Sequence, residues 1–240
     1  MTEAMEEKRA APLVERKESP RGFINFRMED SILERMRLDG KAGVFRSNLT
    51  DEEFTSLTVV PLEMTRSRTM FGDGENGERE VVCRSGDGTG PDWSKVGFWG
   101  GVETPRACMA CPHSQWQENK VPPECSEYWN LLVVTPGTTV PFVLSAKGTS
   151  IAAIRQMMTL LSKTGRDLCS FAVTFTAEQA GSGTRTYYRM VFAGHEELSE
   201  ADAEIYANLY DHLVVGNTGI AHVLSGVQQV ASATEDAPPF

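Results

Sequence analysis

Apolar and polar positions along the chain change period several times, and each change predicts an element. Ile32, Leu33, Met36 and Leu38 in SILERMRLDG recur at helical spacing and predict a short helix ending near Gly40. From Leu57 the run SLTVVPLEM reads as extended, with Val59, Val60 and Leu62 apolar and Pro61 marking a strand end or edge. A second extended piece, residues 80–84, follows the turn-forming GDGENG. Between Ser85 and Pro123, Gly and Pro thicken and no period persists, so this stretch behaves as an inserted loop that requires its own staple.

Regularity returns at Tyr128, where YWNLLVV and PFVLSAK, joined by TPGTT, predict a hairpin. Ile151, Ile154, Met158 and Leu161 then fall at spacings of three and four, with Thr149 or Ser150 to cap a helix and Gly165 to end it. Cys169, Phe171, Val173 and Phe175 alternate with Ser170, Ala172, Thr174 and Thr176 as a half-buried strand, and RTYYRMVF reads as its hairpin partner. Ser199 with Asp202 three residues on opens a last helix whose stripe is Ile205, Leu209 and Leu213. Residues 1–21 and 216–240 carry no period and read as a disordered arm and a flexible acidic tail.

The order strand, strand, inserted loop, hairpin, helix, strand, strand predicts a mostly β domain over 22–215 with flanking helices. An OB-fold-like small barrel, with one helix between its third and fourth strands, accommodates that order. The 240 residues suit one large domain carrying an insertion. With 40% hydrophobic residues, and apolar runs far below the roughly 18 residues of a membrane span, a soluble protein is expected. The first twenty residues hold no apolar block that would read as a secretory signal. Five cysteines are odd in number and too few for a disulfide scaffold, which favours a reducing compartment, the cytoplasm by default.

The insert, about 83–125, holds Cys83, Cys108, Cys111 and Cys125 at spacing C-x24-C-x2-C-x13-C. Two residues between thiolates let both sulfurs of ACMAC reach one ion about 2.3 Å away, and Cys83 and Cys125 would close the sphere at the insert's borders. A structural zinc held by these four thiolates is the expectation, with no open position for substrate. Small buried hydrophobes or a redox C-x-x-C are the alternatives, and His113 could displace one cysteine. Cys169 reads as core.

Net charge is −10, from 23 Lys+Arg against 33 Asp+Glu, which argues against a polyanionic partner until its distribution is considered. From Val140 to Gly194 there are six basic residues (Lys147, Arg155, Lys163, Arg166, Arg185, Arg189) and two acidic (Asp167, Glu178), a balance of +4. From His195 to Phe240 there are eight acidic residues and no Lys or Arg. A body that meets a polyanion and a tail kept from it fit this split, as does random surface clustering. No catalytic pattern is found: a zinc deaminase would place His-x-Glu ahead of Pro-Cys-x-x-Cys, whereas His195 and Glu197 follow the cysteines, and GxxxxGK[ST], GxSxG and HExxH are absent. A non-enzyme is expected.

Through RACMACPH, PPECSEYWNLLVV and FVLSAKGTSI, the chain resembles phage-encoded OB-fold single-stranded-DNA-binding proteins with a zinc-binding insert, over about Leu57 to Phe192. The resemblance implies a replication or recombination accessory that coats transient single strands. Its terminal Pro-Phe, with Glu235, Asp236 and Phe240, is similar to the tip through which bacterial-type single-strand binders recruit partner proteins, although an ordinary frayed terminus reads the same. Sequence-tolerant binding uses aromatic faces and backbone cations. The candidates are Arg66 and Arg68 flanking the end of the first strand, Phe98 and Trp99 among glycines, Lys147, and Arg185, Tyr187 and Arg189 on the outward side of the last strand. A zinc-stabilised adaptor that binds a polymerase or nuclease without touching DNA is the alternative.

Overall fold

A computed structural model describes residues 33–73, 78–94, 107–118, 121–182 and 185–215. The arm 1–21, the tail 216–240 with Glu235, Asp236 and Phe240, the pair Phe98 and Trp99, and the side chain of Arg185 lie outside the described residues. Chain order is β1 (Arg35–Asp39), β2 (Val44–Ser47), β3 (Glu53–Phe54), β4 (Ser56–Asp73), β5 (Arg79–Ser85), β6 (Trp93–Ser94), β7 (Cys125–Val134), β8 (Pro141–Lys147), α1 (Ile151–Leu161), β9 (Phe171–Ser182), β10 (Arg185–Glu197) and α2 (Glu200–Tyr210). The described part is mostly β, one open sheet in the order β10-β9-β4-β7-β8-β1-β2-β3 with β5 on β4 and β6 on β5. Its strand pairs are antiparallel except β1 with β8.

Where a short helix ending near Gly40 is predicted, the described residues form the strand Arg35–Asp39 instead. Met36 and Leu38 pack on the core while Arg35, Arg37 and Asp39 alternate with them, and the exposed edge of β8 supplies a partner: Arg35, Met36 and Arg37 pair with Val143, Leu144 and Ser145. A waiting sheet edge outweighs a short stretch of helical spacing, because an isolated helix of that length is marginal in water. The turn into β2 is held by the Asp39 carboxylate, which accepts from the Lys41 and Ala42 N–H groups at 2.8 and 3.1 Å. Gly43 closes it at φ +73, and the Tyr188 N–H donates to the Gly40 carbonyl at 2.7 Å, so β10 approaches this turn from the far end of the strand path.

β4 runs for 18 residues straight through Pro61, where a strand end or edge is predicted. A register shift between Pro61 and Glu63 accommodates it, a bulge being the place where a strand tolerates a missing N–H donor. That bulge also exchanges faces. Leu57 and Val59 point into the main core, Val60 and Leu62 into a second cluster, and beyond the bulge Met64 returns to the first.

The main core lies between the sheet's inner face and α1: Trp129, Leu131, Val133, Phe142 and Leu144 meet Ile151, Ile154, Met157 and Leu161. α1 spans its predicted residues, with Gly165 left-handed at φ +69 just beyond. Ser150 makes no cap bond; its hydroxyl accepts the Met190 N–H at 3.0 Å and ties the helix start to β10. The second cluster, on the outer face, packs Leu62, Leu132, Val134 and Val143 beneath α2. Ser199 caps α2 by accepting the Asp202 N–H, as its position suggested. Within it Tyr206 is the buried residue, with Leu213 buried in the π-helical turn that follows, whereas Ile205 is 53% exposed, because the Tyr206 hydroxyl accepts the Gly137 N–H and sets the helix's rotation. Cys169 is buried in a turn before β9 (Leu168–Ser170), within the second cluster and not on an alternating strand position.

Candidate functional site

Cys83 on β5 and Cys125 on β7 are both cross-strand partners of Met70 on β4, so they flank it on the inner side at the sheet's upper end. Cys108 and Cys111 come from consecutive tight turns, Cys108–Ala110 and Pro112–Ser114. The Cys111 N–H donates to the Cys108 carbonyl at 3.2 Å, the Ser114 hydroxyl bonds both cysteine carbonyls, and the Cys108 N–H donates to the Thr89 carbonyl at 2.7 Å. Thr89 is in turn fixed by Asp87, whose carboxyl is held down at about 2 by the Thr89 hydroxyl and N–H. All four cysteines, with Met70, Pro91, His113 and Ser114, line one cavity of about 20 Å³. Burial pushes the Cys83 and Cys125 thiols up to about 11, and the neighbouring cysteines add to the rise in both. Among the described residues, no group of three or more His, Cys, Asp or Glu side chains is arranged as an ion's coordination sphere as it stands. His113 lines the cavity, but its Nδ1 lies 2.7 Å from a Glu124 carboxylate oxygen.

Below the cysteines, pairing sorts the polar residues of β4, β7 and β8 between two faces. Arg66 and Arg68 pair with Trp129 and Glu127 on the inner face. The Arg66 guanidinium lies 4.3 Å over the Trp129 ring, and Arg68 bonds Glu127 at 3.1 Å. The sequence predicts that both flank the end of the first strand; the strand instead continues past them, and the bulge at Pro61 puts them on the inner face.

The outer face divides in two. Its lower half is the apolar surface under α2. Its upper half is polar, with rows Ser67, Tyr128, Lys147 and Thr65, Asn130, Ser145, Arg37, Arg46 running across the strands. On the β5 side the rows Thr69, Arg84 and Asp73, Arg79 continue it. Asn130, 1% exposed, donates to the Ser67 hydroxyl at 3.0 Å and accepts from Ser145 at 2.7 Å, stitching three strands together. Burial raises the Tyr128 phenol, and the Ser126 hydroxyl and the guanidiniums of Arg37 and Arg79 act against that rise. The charges of two arginines on different strands thus act on the Tyr128 hydroxyl, and Lys147 is its register partner. Arg46 is neutralised by Asp39 and Glu53 at 3.1 and 2.8 Å.

On β10, Met190 is buried, and Tyr187 and Arg189 take the opposite side, as alternation requires. Arg189 is engaged: its Nε and Nη2 donate to Glu178 at 3.1 and 2.8 Å. The upper outer face thus brings together Lys147 from the sequence candidates with Tyr128, Arg37, Arg79 and Arg84, which sequence reasoning missed. The polar positions of YWNLLVV, Tyr128 and Asn130 alternating with Trp129 and Leu131, were the available signal for the first. Arg37 was hidden by the helix expectation.

No helix among the described residues is long and apolar enough to cross a membrane. Comparison with family models, with curated proteins and with solved structures returns no match for this chain.

Proposed function

We propose that this chain binds single-stranded DNA with little sequence preference along the upper outer face, as a non-catalytic accessory of phage replication or recombination in the host cytoplasm. The observation that carries the reading is the polar upper outer face itself, where Tyr128 has Lys147 as its register partner and Arg37, Arg79 and Arg84 lie on the neighbouring strands: a ring for bases on a face that carries cations for phosphates. The strand order supports an OB-like barrel. β4, β7, β8, then α1, then β9 and β10, with β9 returning to β4, follows the five-stranded order with its helix between strands three and four, and the turn of the β1–β2 hairpin, which pairs with β8, accepts one backbone bond from Tyr188 of β10. In that fold, oligonucleotides meet strands two and three and the loops after strands one and four. Here those are β7, β8, the cysteine-bearing segment and the β9–β10 turn that precedes Arg185.

The cysteine cluster fits a structural zinc. Four thiols converge on one small cavity, and the Cys83 and Cys125 thiols are raised by burial and then by the neighbouring cysteines, a rise that a dication replacing the protons would reverse. Cys83, Cys108, Cys111 and Cys125 would hold it, and the metal would supply the segment's staple and no catalytic position. Recruitment of partner proteins is assigned to Glu235, Asp236 and Phe240 in the tail.

Titration of intrinsic tryptophan fluorescence with oligo-dT at two salt concentrations tests the reading. Saturable quenching that weakens with salt is expected. A folded protein with one equivalent of zinc that ignores oligo-dT at low salt would favour the adaptor without DNA contact.

A further inference from the structure

Arg66 and Arg155 converge on one ring. Arg66 reaches Trp129 from its cross-strand position on β4, at 4.3 Å from the ring centroid, and Arg155 reaches it from α1, at 5.4 Å. Trp129 is 4% exposed and fixed: its Nε1–H donates to Glu127 at 2.9 Å, and Glu127 also accepts from Arg68. The Glu127 carboxylate is therefore already engaged, and among the described residues neither Arg66 nor Arg155 has an acidic partner. Both side chains are exposed while their ring is not, so one ring anchors two positive charges at the surface, one from the sheet and one from α1. The stem of Arg66 is backed by the loop at Gly88, whose added Cβ would stand 3.5 Å from the Arg66 Cβ. Arg155 also borders a shallow hollow of about 370 Å³ along α1, lined by Ala152, Gln156, Thr159 and Leu160.

We propose that Arg66 and Arg155 form a clamp for one phosphodiester of the bound strand, with the adjoining nucleoside in the hollow along α1. This rests on the single-strand reading above and extends the strand's path from the outer face to the side of the sheet where α1 packs. A ring that holds two guanidiniums by their faces leaves their N–H edges directed away from it, and an anion between them offsets the repulsion that no carboxylate relieves. The hollow has an apolar wall from Leu160 and polar groups from Gln156 and Thr159, which suits a sugar and base better than a second phosphate.

The test measures dT12 affinity between 50 and 200 mM salt for the wild type, Arg155→Gln, Arg66→Gln, their double variant, and Arg79→Ala/Lys147→Ala on the outer face. Arg155→Gln sits on the solvent side of a helix and keeps the fold; melting curves check each protein. A single-strand phosphate contact contributes about 0.7 to the salt slope. Each single clamp variant should therefore shrink the loss across this fourfold salt range by about 2.6-fold. The double variant should lose no more than either single, because both arginines serve one phosphate. Wild-type affinity and slope in Arg155→Gln, with the outer-face variant impaired, would overturn the clamp and leave the single-strand reading standing. Additive loss in the double variant would overturn the shared phosphate. A wild type that does not bind dT12 at 50 mM salt would remove the single-strand reading and the clamp with it.

Discussion

Replacing Asn130 with leucine should cost far more than one surface hydrogen bond. Asn130 is 1% exposed, donates to Ser67 at 3.0 Å and accepts from Ser145 at 2.7 Å, so the change deletes two buried bonds. Each is worth about 1 kcal/mol net, and the Ser67 hydroxyl, 5% exposed, would add a desolvation penalty of about 1–3 kcal/mol. Ser145 is half-buried and can turn to water, so it adds little. The sum is about 3–5 kcal/mol, or a melting temperature about 6–20 °C lower for a domain of this size. Thermal denaturation followed by circular dichroism reads this directly. The triple variant Ser67→Ala/Asn130→Leu/Ser145→Ala should recover most of the loss, since replacing every partner leaves no orphaned group. An Asn130→Leu protein within about 0.5 kcal/mol of wild type, or a triple variant whose losses simply add, would refute the network as the source of that stability.

Arg79→Ala/Lys147→Ala should lower the salt slope for oligo-dT by about 1.4, two contacts at about 0.7 each, whereas Arg189→Ala, whose charge is already met by Glu178, should leave it unchanged; equal slopes in all three proteins would place the strand elsewhere. Gly43→Ala should destabilise by more than about 1–2 kcal/mol, the cost of a left-handed residue at φ +73, because its Cβ would also stand 2.7 Å from the Tyr188 ring. In chemical denaturation that loss should shrink on a Tyr188→Ala background, and undiminished loss would mean the ring is not the obstacle. Asp87, held at about 2 by Thr89, contributes stability that is present above the ordinary carboxyl value and is lost as pH falls through about 2. Urea midpoints from pH 5 to pH 2 should therefore fall more steeply in the wild type than in Asp87→Asn, and parallel curves would count against the Thr89 contacts as its cause.

Local pattern alone was enough for several elements. α1, the β7–β8 and β9–β10 hairpins, the left-handed Gly165 and the Ser199 cap depend on spacings within one element, where period and a single terminal residue decide the outcome. The cysteine spacing likewise pointed to four thiols that the fold does gather around one cavity. Tertiary structure decided the rest. Helical spacing before Gly40 yielded to a strand because the edge of β8 was there to be paired, and Tyr206 displaced Ile205 from the buried stripe because its hydroxyl had a backbone donor 69 residues away to meet. The assignment of the candidate interface turned on a smaller event. Side chains alternate with a period of two, so the single extra residue of the bulge after Pro61 exchanges the faces of everything beyond it, turning Arg66 and Arg68 inward onto Glu127 and Trp129 and leaving Ser67, Thr65 and their neighbour Tyr128 outside. Whether a strand bulges depends on how its two partners pack on either side, and that information lies in β7 and β9, more than 60 residues along the chain, not in the run SLTVVPLEM itself.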